Sequence, residues 1–136
     1  MLALKNRIRQ KRDFAKIFKV SRPVHTENLI FRFTKKQDQN SQTRFAFIIN
    51  NKVEKRAVYR NRLRRRLQAI VAELLFEAEK GYDVVVIIKP GSILSLDYNK
   101  LKAQLVFGLK KIRLLDDKKT FDSLDRDISK NDLTRP

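Results

Sequence analysis

Eight of the fifteen residues from Lys52 to Arg66 (KVEKRAVYRNRLRRR) are basic, and Glu54 is the one acid among them. Arginine carries a planar, permanently charged fork of donors that fits phosphate oxygens and base edges in pairs. Five arginines and Asn61 fall between Arg60 and Arg66. A charged surface that serves only solubility mixes its signs, and this one does not, so the segment is predicted to bind a polyanion. Its position on a helix sharpens the expectation. Leu63, Leu67, Ile70, Val71, Leu74, Leu75 and Ala78 recur at helical spacing, predicting a helix from about Ala57 to Glu79 that Gly81 stops. On it Arg62 and Arg66 stack at i, i+4, and Arg65 lies roughly opposite the apolar stripe. Unpaired backbone N–H groups near the helix start add to the attraction for anions.

Chemistry of other kinds lacks its residues. Asp13, Glu27, Glu54, Glu73, Asp83 and Asp97 form no paired-carboxylate motif, and with three glycines there is neither a phosphate-cradling loop nor a G-x-S-x-G elbow. The absence of cysteine excludes disulfides, zinc fingers and thiol nucleophiles. His25, the single histidine, follows Pro-Val in a loop and has no second His or Cys with which to share a metal. The expectation is a protein with no catalytic residues, no metal site and no small-molecule substrate.

The chain has 136 residues, 42% of them hydrophobic, enough for one modest core, and its 32 basic against 15 acidic residues give a net charge of +17. Such an excess favours a polyanionic partner, nucleic acid or an anionic membrane. The charge is uneven: from Asp116 to Pro136 there are five basic and six acidic residues, so all the positive excess lies in residues 1–115. The same division gives the expected organisation, a single polyanion-binding domain over 1–115 and a disordered or frayed tail over 116–136. No apolar run approaches the ~20 residues of a membrane span, and Met1 to Arg12 is basic without the apolar stretch of a signal peptide. These features predict a cytoplasmic protein. A membrane-surface binder would need an exposed apolar helix face, whereas strands are at hand to bury this one.

Those strands and the remaining helices read as follows. Phe14, Ile17 and Phe18 share one face of a helix from Lys11 to Val20, ended by Pro23. Leu29 to Thr34 alternates, with Leu29, Phe31 and Phe33 on one side and Ile30 and Arg32 on the other. Arg44 to Asn50 alternates too, with Phe45, Phe47 and Ile49 opposed to Ala46, Ile48 and Asn50. The polar stretch between the two runs suggests an antiparallel pair. Tyr82 to Ile88 is an unbroken β-branched run, predicted to be a strand buried on both faces. Ser95 or Asp97 can cap a last helix with Leu101, Leu105, Leu109 and Ile112 as its stripe. A mixed sheet with helices on one face would leave the other partly open to a nucleic-acid strand.

Lys52, Val53, Ala57, Val58, the Arg60-Asn61-Arg62 triplet and Arg64-Arg65 resemble the signature of the bacterial ribonuclease P protein, roughly K-x-G-x-A-V-x-R-N-R-x-K-R. The opening Lys11 to Lys19 (KRDFAKIFK) and the strand Arg44 to Asn50 are also similar to that family, and the resemblance covers about Leu4 to Leu115. It implies an α+β two-layer sandwich of order α-β-β-β-α-β-α, with a short first strand, a central mixed sheet and a left-handed βαβ crossover. It implies a protein cofactor of an RNA enzyme: the RNA subunit, with Mg²⁺, removes the 5′ leader of precursor tRNA. Lys52, Arg56, Arg60, Asn61, Arg62, Arg64, Arg65 and Arg66 would bind that RNA. Phe14, Phe18, Ile30, Arg32, Ala46, Ile48 and Asn50 would line a cleft for the leader. On residues alone Phe14 and Phe18 read more readily as core than as a stacking platform, or Ile17 is the true core residue with one ring exposed. The chain departs from the family pattern at Asn50-Asn51 (usually Ser-Lys), Glu54 (usually Gly), Gln68 (commonly Arg), Arg32 (often aromatic) and Ile48 (often small and polar). The alternative reading is a ribosomal or RNA-chaperone type of RNA-binding protein.

Overall fold

The computed structural model describes residues 2–38, 40–91 and 96–115. Behind a single 3₁₀ turn at Leu4–Asn6, the elements run α1 (Lys11–Val20), β1 (Val24–His25), β2 (Leu29–Lys35), β3 (Arg44–Ile48), α2 (Ala57–Leu74), β4 (Tyr82–Ile88) and α3 (Tyr98–Lys111). The order matches the expectation, and His25 lies in the short first strand rather than in a loop. The anticipated tail beyond Leu115 and the Ser95 cap lie outside the described residues. Asp97 caps α3, its side chain accepting from Lys100 N at 2.8 Å.

The four strands lie in the order β1-β2-β4-β3. The expected β2–β3 pair is therefore incorrect. β4 enters between them, antiparallel to β2 and parallel to β3, so that β3, α2 and β4 form a βαβ crossover. The physical reason is burial: Asp83 to Val86 and Ile88 are all shielded, and such a strand gains most at the sheet centre, covered on both faces. β2 and β3 each have one alternating face to bury and take its two sides. α2 also stops earlier than its stripe suggested. Leu75 and Ala78 leave the helix, and Ala78 instead bridges Leu115 beside the end of α3.

One sheet face carries Leu29, Phe31, Phe45, Phe47, Val84, Val86 and Ile88, which pack with the stripes of α2 and α3 into the main core. The other face is where the expectation of helices on one side alone fails. Ile17 of α1, together with Ile8, seats on Val85 there, with Phe14, Ala46, Ile48 and Ile87 around them. The N-terminal segment also closes the outer edge of β3, through an Arg7–Phe45 bridge and an Ile8 N to Phe45 O bond of 3.0 Å. That removes an unpaired strand edge.

α2 and α3 are also linked on their exposed sides. Glu73 accepts from the Tyr98 hydroxyl and from Lys102 Nζ at 3.0 Å. Because the neutral phenol donates to the carboxylate, the Tyr98 pKa rises from 10.0 to about 12, while the Glu73 carboxyl is held below its ordinary value by the same bond and by Lys102. A folded pKa above the unfolded one adds stability below pH ~10 that is lost as pH climbs through about 12. Absorbance titration at high pH should show one tyrosine ionising late, a step absent from Tyr98→Phe. If Tyr98→Phe leaves the titration curve's late step in place, the Tyr98–Glu73 bond does not form in solution.

Candidate nucleic-acid interface

α2 is amphipathic in the simplest way. Leu63, Leu67, Ile70, Val71 and Leu74 are buried, and the basic residues fan over the rest of its first three turns. The fan divides by partner. Arg60 sends Nη1 to the carbonyls of Glu54 and Lys55, both at 2.8 Å, and so fastens the loop that precedes its own helix. Arg56 donates to Glu54 at 2.7 Å, which gives the acid at the usual glycine position a local role. Arg64 bonds the Asn61 side chain at 3.0 Å, and Arg66 reaches the Leu96 carbonyl at 2.9 Å. Arg65 and Lys52 are exposed, and neither side chain has a partner among the described residues. Arg62 is exposed and touches only the Tyr59 ring. The freest cations for a phosphate are thus Arg62, Arg65, Lys52 and Lys55, whose ammonium likewise has no partner among the described residues. No acidic residue lies in the first turn of α2, so its N–H groups face a positive environment.

The register shows what lies on the α1 face of the sheet. Arg32, Val85 and Ala46 form one cross-strand row, and Ile30, Ile87 and Ile48 the next. α1 covers Val85 completely, whereas the three isoleucines are only half-buried. Beyond Ile48 the chain reaches Asn50, whose Oδ1 accepts from Lys52 N at 2.9 Å, joining this face to the basic loop. Of the two α1 aromatics, Phe14 is half-buried in the small cluster and Phe18 is 37% exposed. Arg32 lies 5.1 Å from the Phe18 ring centroid and bonds the carbonyls of Phe18 (3.3 Å) and Ser21 (3.2 Å) at the end of α1. The departure from an aromatic at this position thus places a helix-end cation beside Phe18. Six of the seven residues expected from the resemblance to line a cleft, Phe14, Phe18, Ile30, Arg32, Ala46 and Ile48, lie on or against this face, and Asn50 follows the end of β3.

A third row, Thr34–Asp83–Arg44, was not anticipated. Arg44 grips buried Asp83 with two bonds of 2.9 and 2.7 Å, Lys36 approaches it at 3.3 Å, and Arg44 also reaches Asp13 of α1 at 3.4 Å. The bond to Asp83 raises the Arg44 pKa despite partial burial, with Asp13 adding to the effect. This network ties the start of α1 to the sheet. Its only sequence signal is a lone Asp inside an apolar strand, which needs a cation close by. Tyr59 is a second residue not foreseen. Its ring is partly exposed within the motif, and the guanidiniums of Arg56 and Arg62 flank it.

The ribonuclease P family profile matches residues 2–113. A ribonuclease P protein component of Synechococcus elongatus is 40% identical over 88 residues, 63% of this chain and 72% of that protein. One from a Cyanothece species is 30% identical over 129 residues, 85% of this chain and 98% of that protein. The solved ribonuclease P protein of Thermotoga maritima superposes with a TM-score of 0.70 at 27% identity, covering 79% of this chain and 97% of that one. A Staphylococcus aureus ribonuclease P protein shares the fold with a TM-score of 0.72 at 18% identity, over 81% of this chain and 90% of that one. These likenesses do not favour a ribosomal or RNA-chaperone module. The signature on α2, the sheet order and the span of these matches agree: the chain belongs to the ribonuclease P protein family and is a protein subunit of ribonuclease P.

Proposed function

We propose that α2 and its leading loop anchor the ribonuclease P RNA, and that the groove between α1 and the sheet guides the 5′ leader of precursor tRNA. One observation carries the second half. α1 seats Ile17 on Val85 but leaves the next row, Ile30, Ile87 and Ile48, only half-buried, an apolar strip one row from the Arg32–Phe18 pair. A strip of that kind takes stacked or splayed bases, while the cations around it hold the backbone. Lys52, Arg56, Arg60, Asn61, Arg62, Arg64, Arg65 and Arg66 form the RNA-subunit surface, with Arg56 and Arg60 shaping the loop. Phe14, Phe18, Ile30, Arg32, Ala46, Ile48 and Asn50 form the leader surface. In this reading the RNA subunit performs the cleavage in the cytoplasm, and the protein lowers the Mg²⁺ it requires by neutralising phosphates.

In this proposal the Mg²⁺ is held by the RNA subunit. Among the described residues no three His, Asp or Glu side chains gather as a metal site, and Asp83 is already engaged by Arg44 and Lys36.

The test is single-turnover cleavage of precursor tRNA by ribonuclease P RNA at low Mg²⁺, with and without the protein. Stimulation is expected, and a protein without effect on its cognate RNA would end the proposal. Phe18→Ala should weaken precursor binding by roughly five- to a hundred-fold, the range for one stacked base, and leave affinity for the RNA subunit unchanged. Phe14→Ala removes packing against Ile17 as well, so its loss should include lower thermal stability. Equal loss of precursor and RNA-subunit binding in Phe18→Ala would refute the division between groove and helix.

A further inference from the structure

Tyr59, in the first turn of α2, is 37% exposed and belongs to neither apolar cluster, so the fold does not need its ring. Two guanidiniums lie against it, Arg56 from one turn before at 4.0 Å from the centroid and Arg62 from one turn after at 5.4 Å. They are held very differently. Arg56 is fastened by Nε and Nη2 to Glu54 Oε1, both at 2.7 Å, and the Glu54 side chain is only 12% exposed. Arg62 has the ring contact and no hydrogen bond or ion pair among the described residues. With Glu54, Leu63 and Arg66 these three residues line a concavity of about 250 Å³ on the flank of the motif helix.

We propose that Tyr59 is a stacking platform for one unpaired nucleobase of the RNA subunit, a site that rests on the assignment of α2 to that RNA. The base enters on the Arg62 side, where the cation is loosest, and lies on the ring face that Arg62 now shades. Arg56 stays behind the ring, its charge balanced by Glu54, and keeps the ring oriented. The displaced Arg62 guanidinium turns to the phosphate of the same nucleotide. A base within a duplex has both faces covered by its neighbours and cannot make this contact, which restricts the ligand to a bulge, loop or flipped nucleotide. The site differs in kind from the arginine surface around it, since stacking depends little on salt and phosphate contacts depend on it steeply.

The experiment compares wild-type, Tyr59→Ala and Tyr59→Phe full-length proteins binding ribonuclease P RNA across a salt series, with tyrosine fluorescence recorded in each titration. The chain has no tryptophan and three tyrosines, so tyrosine emission is directly readable. Tyr59→Ala should bind about five- to a hundred-fold more weakly, with an unchanged slope of log affinity against log salt and an unchanged melting temperature. Tyr59→Phe should keep wild-type affinity and lose most of the fluorescence quenching that RNA causes in the wild type. Wild-type affinity in Tyr59→Ala would overturn the site. So would a loss accompanied by a slope reduced by about one phosphate contact, because the ring would then act only through its arginines. If the wild-type protein itself fails to bind the RNA, the assignment of α2 falls first and this site with it.

Discussion

Gly108→Ala is expected to be among the most destabilising single substitutions in the chain. A Cβ built at Gly108 of α3 would sit 2.1 and 2.2 Å from two carbons of the Phe31 ring. Phe31 is fully buried in the middle of β2, paired with Val24 on one side and Val86 on the other, so the ring has nowhere to withdraw. α3 must lift off the sheet or Phe31 must leave its rotamer. Overpacking of this kind costs about 1–3 kcal/mol, and more where no neighbour can yield; the upper end applies here. For a domain of this size that is roughly a 10 °C fall in melting temperature, readable by calorimetry or circular dichroism. Phe31→Leu added to Gly108→Ala should recover part of the loss by making room. A Gly108→Ala protein that melts like the wild type would show that α3 does not sit this close to β2. RNA binding is a separate matter, since α2 carries the basic surface and Gly108 does not touch it.

The second large effect concerns affinity alone. Arg62→Ala/Arg65→Ala removes two exposed guanidiniums that make no hydrogen bond or ion pair among the described residues. Stability should hardly change. Affinity for ribonuclease P RNA should drop on the order of a hundred-fold at physiological salt, with the log–log salt slope reduced by about 1.4–1.8 for two phosphate contacts. Arg60→Ala is the instructive contrast. Its guanidinium serves the Glu54 and Lys55 carbonyls, so its loss should loosen the loop and lower thermal stability while the salt slope changes little. Should Arg60→Ala reduce the slope as much as the double variant does, Arg60 exchanges its loop carbonyls for phosphates on binding. The measurement is equilibrium binding at several salt concentrations alongside melting curves.

What could be read from the sequence was whatever a period or a density of one residue type encodes. The α2 stripe, the unbroken β4 run and the alternation of β2 and β3 each fixed which residues turn inward, and Ile17 emerges as the buried member of the α1 face. The cleft residues of β2 and β3 came out on one face for the same reason, since period-two alternation sorts faces regardless of which strands are neighbours. Neighbourhood itself has no periodic signature. Nothing local in Leu29 to Asn50 reveals that a strand made later separates its two halves, so adjacency in sequence does not become adjacency in the sheet. The two α1 rings were indistinguishable for a related reason. Both lie near Ile17 on the helix, and only the lateral position of α1 over Val85 decides that Phe14 is packed and Phe18 exposed. The side-chain ties escaped as well. Arg44 to Asp83 spans 39 residues, and the role of Arg60 as a loop fastener depends on backbone carbonyls that no residue type reports.

The central place of β4 also governs the order in which the protein can come into being. β2 and β3 are joined into one sheet only through β4, some forty to sixty residues further along the chain, while α2 is made in between. During synthesis the basic helix therefore leaves the ribosome before the strand that completes its platform. Until Tyr82–Ile88 emerge, the chain has no sheet on which to bury the α2 stripe, and loop closure over such separations is slow. The last stretch needed to close the core, α3 with Gly108 against Phe31, follows later still. A nascent subunit thus carries the whole Lys52–Arg66 basic segment before it has a fold to present it, and the surface that holds those cations in register forms only when β4 is in place.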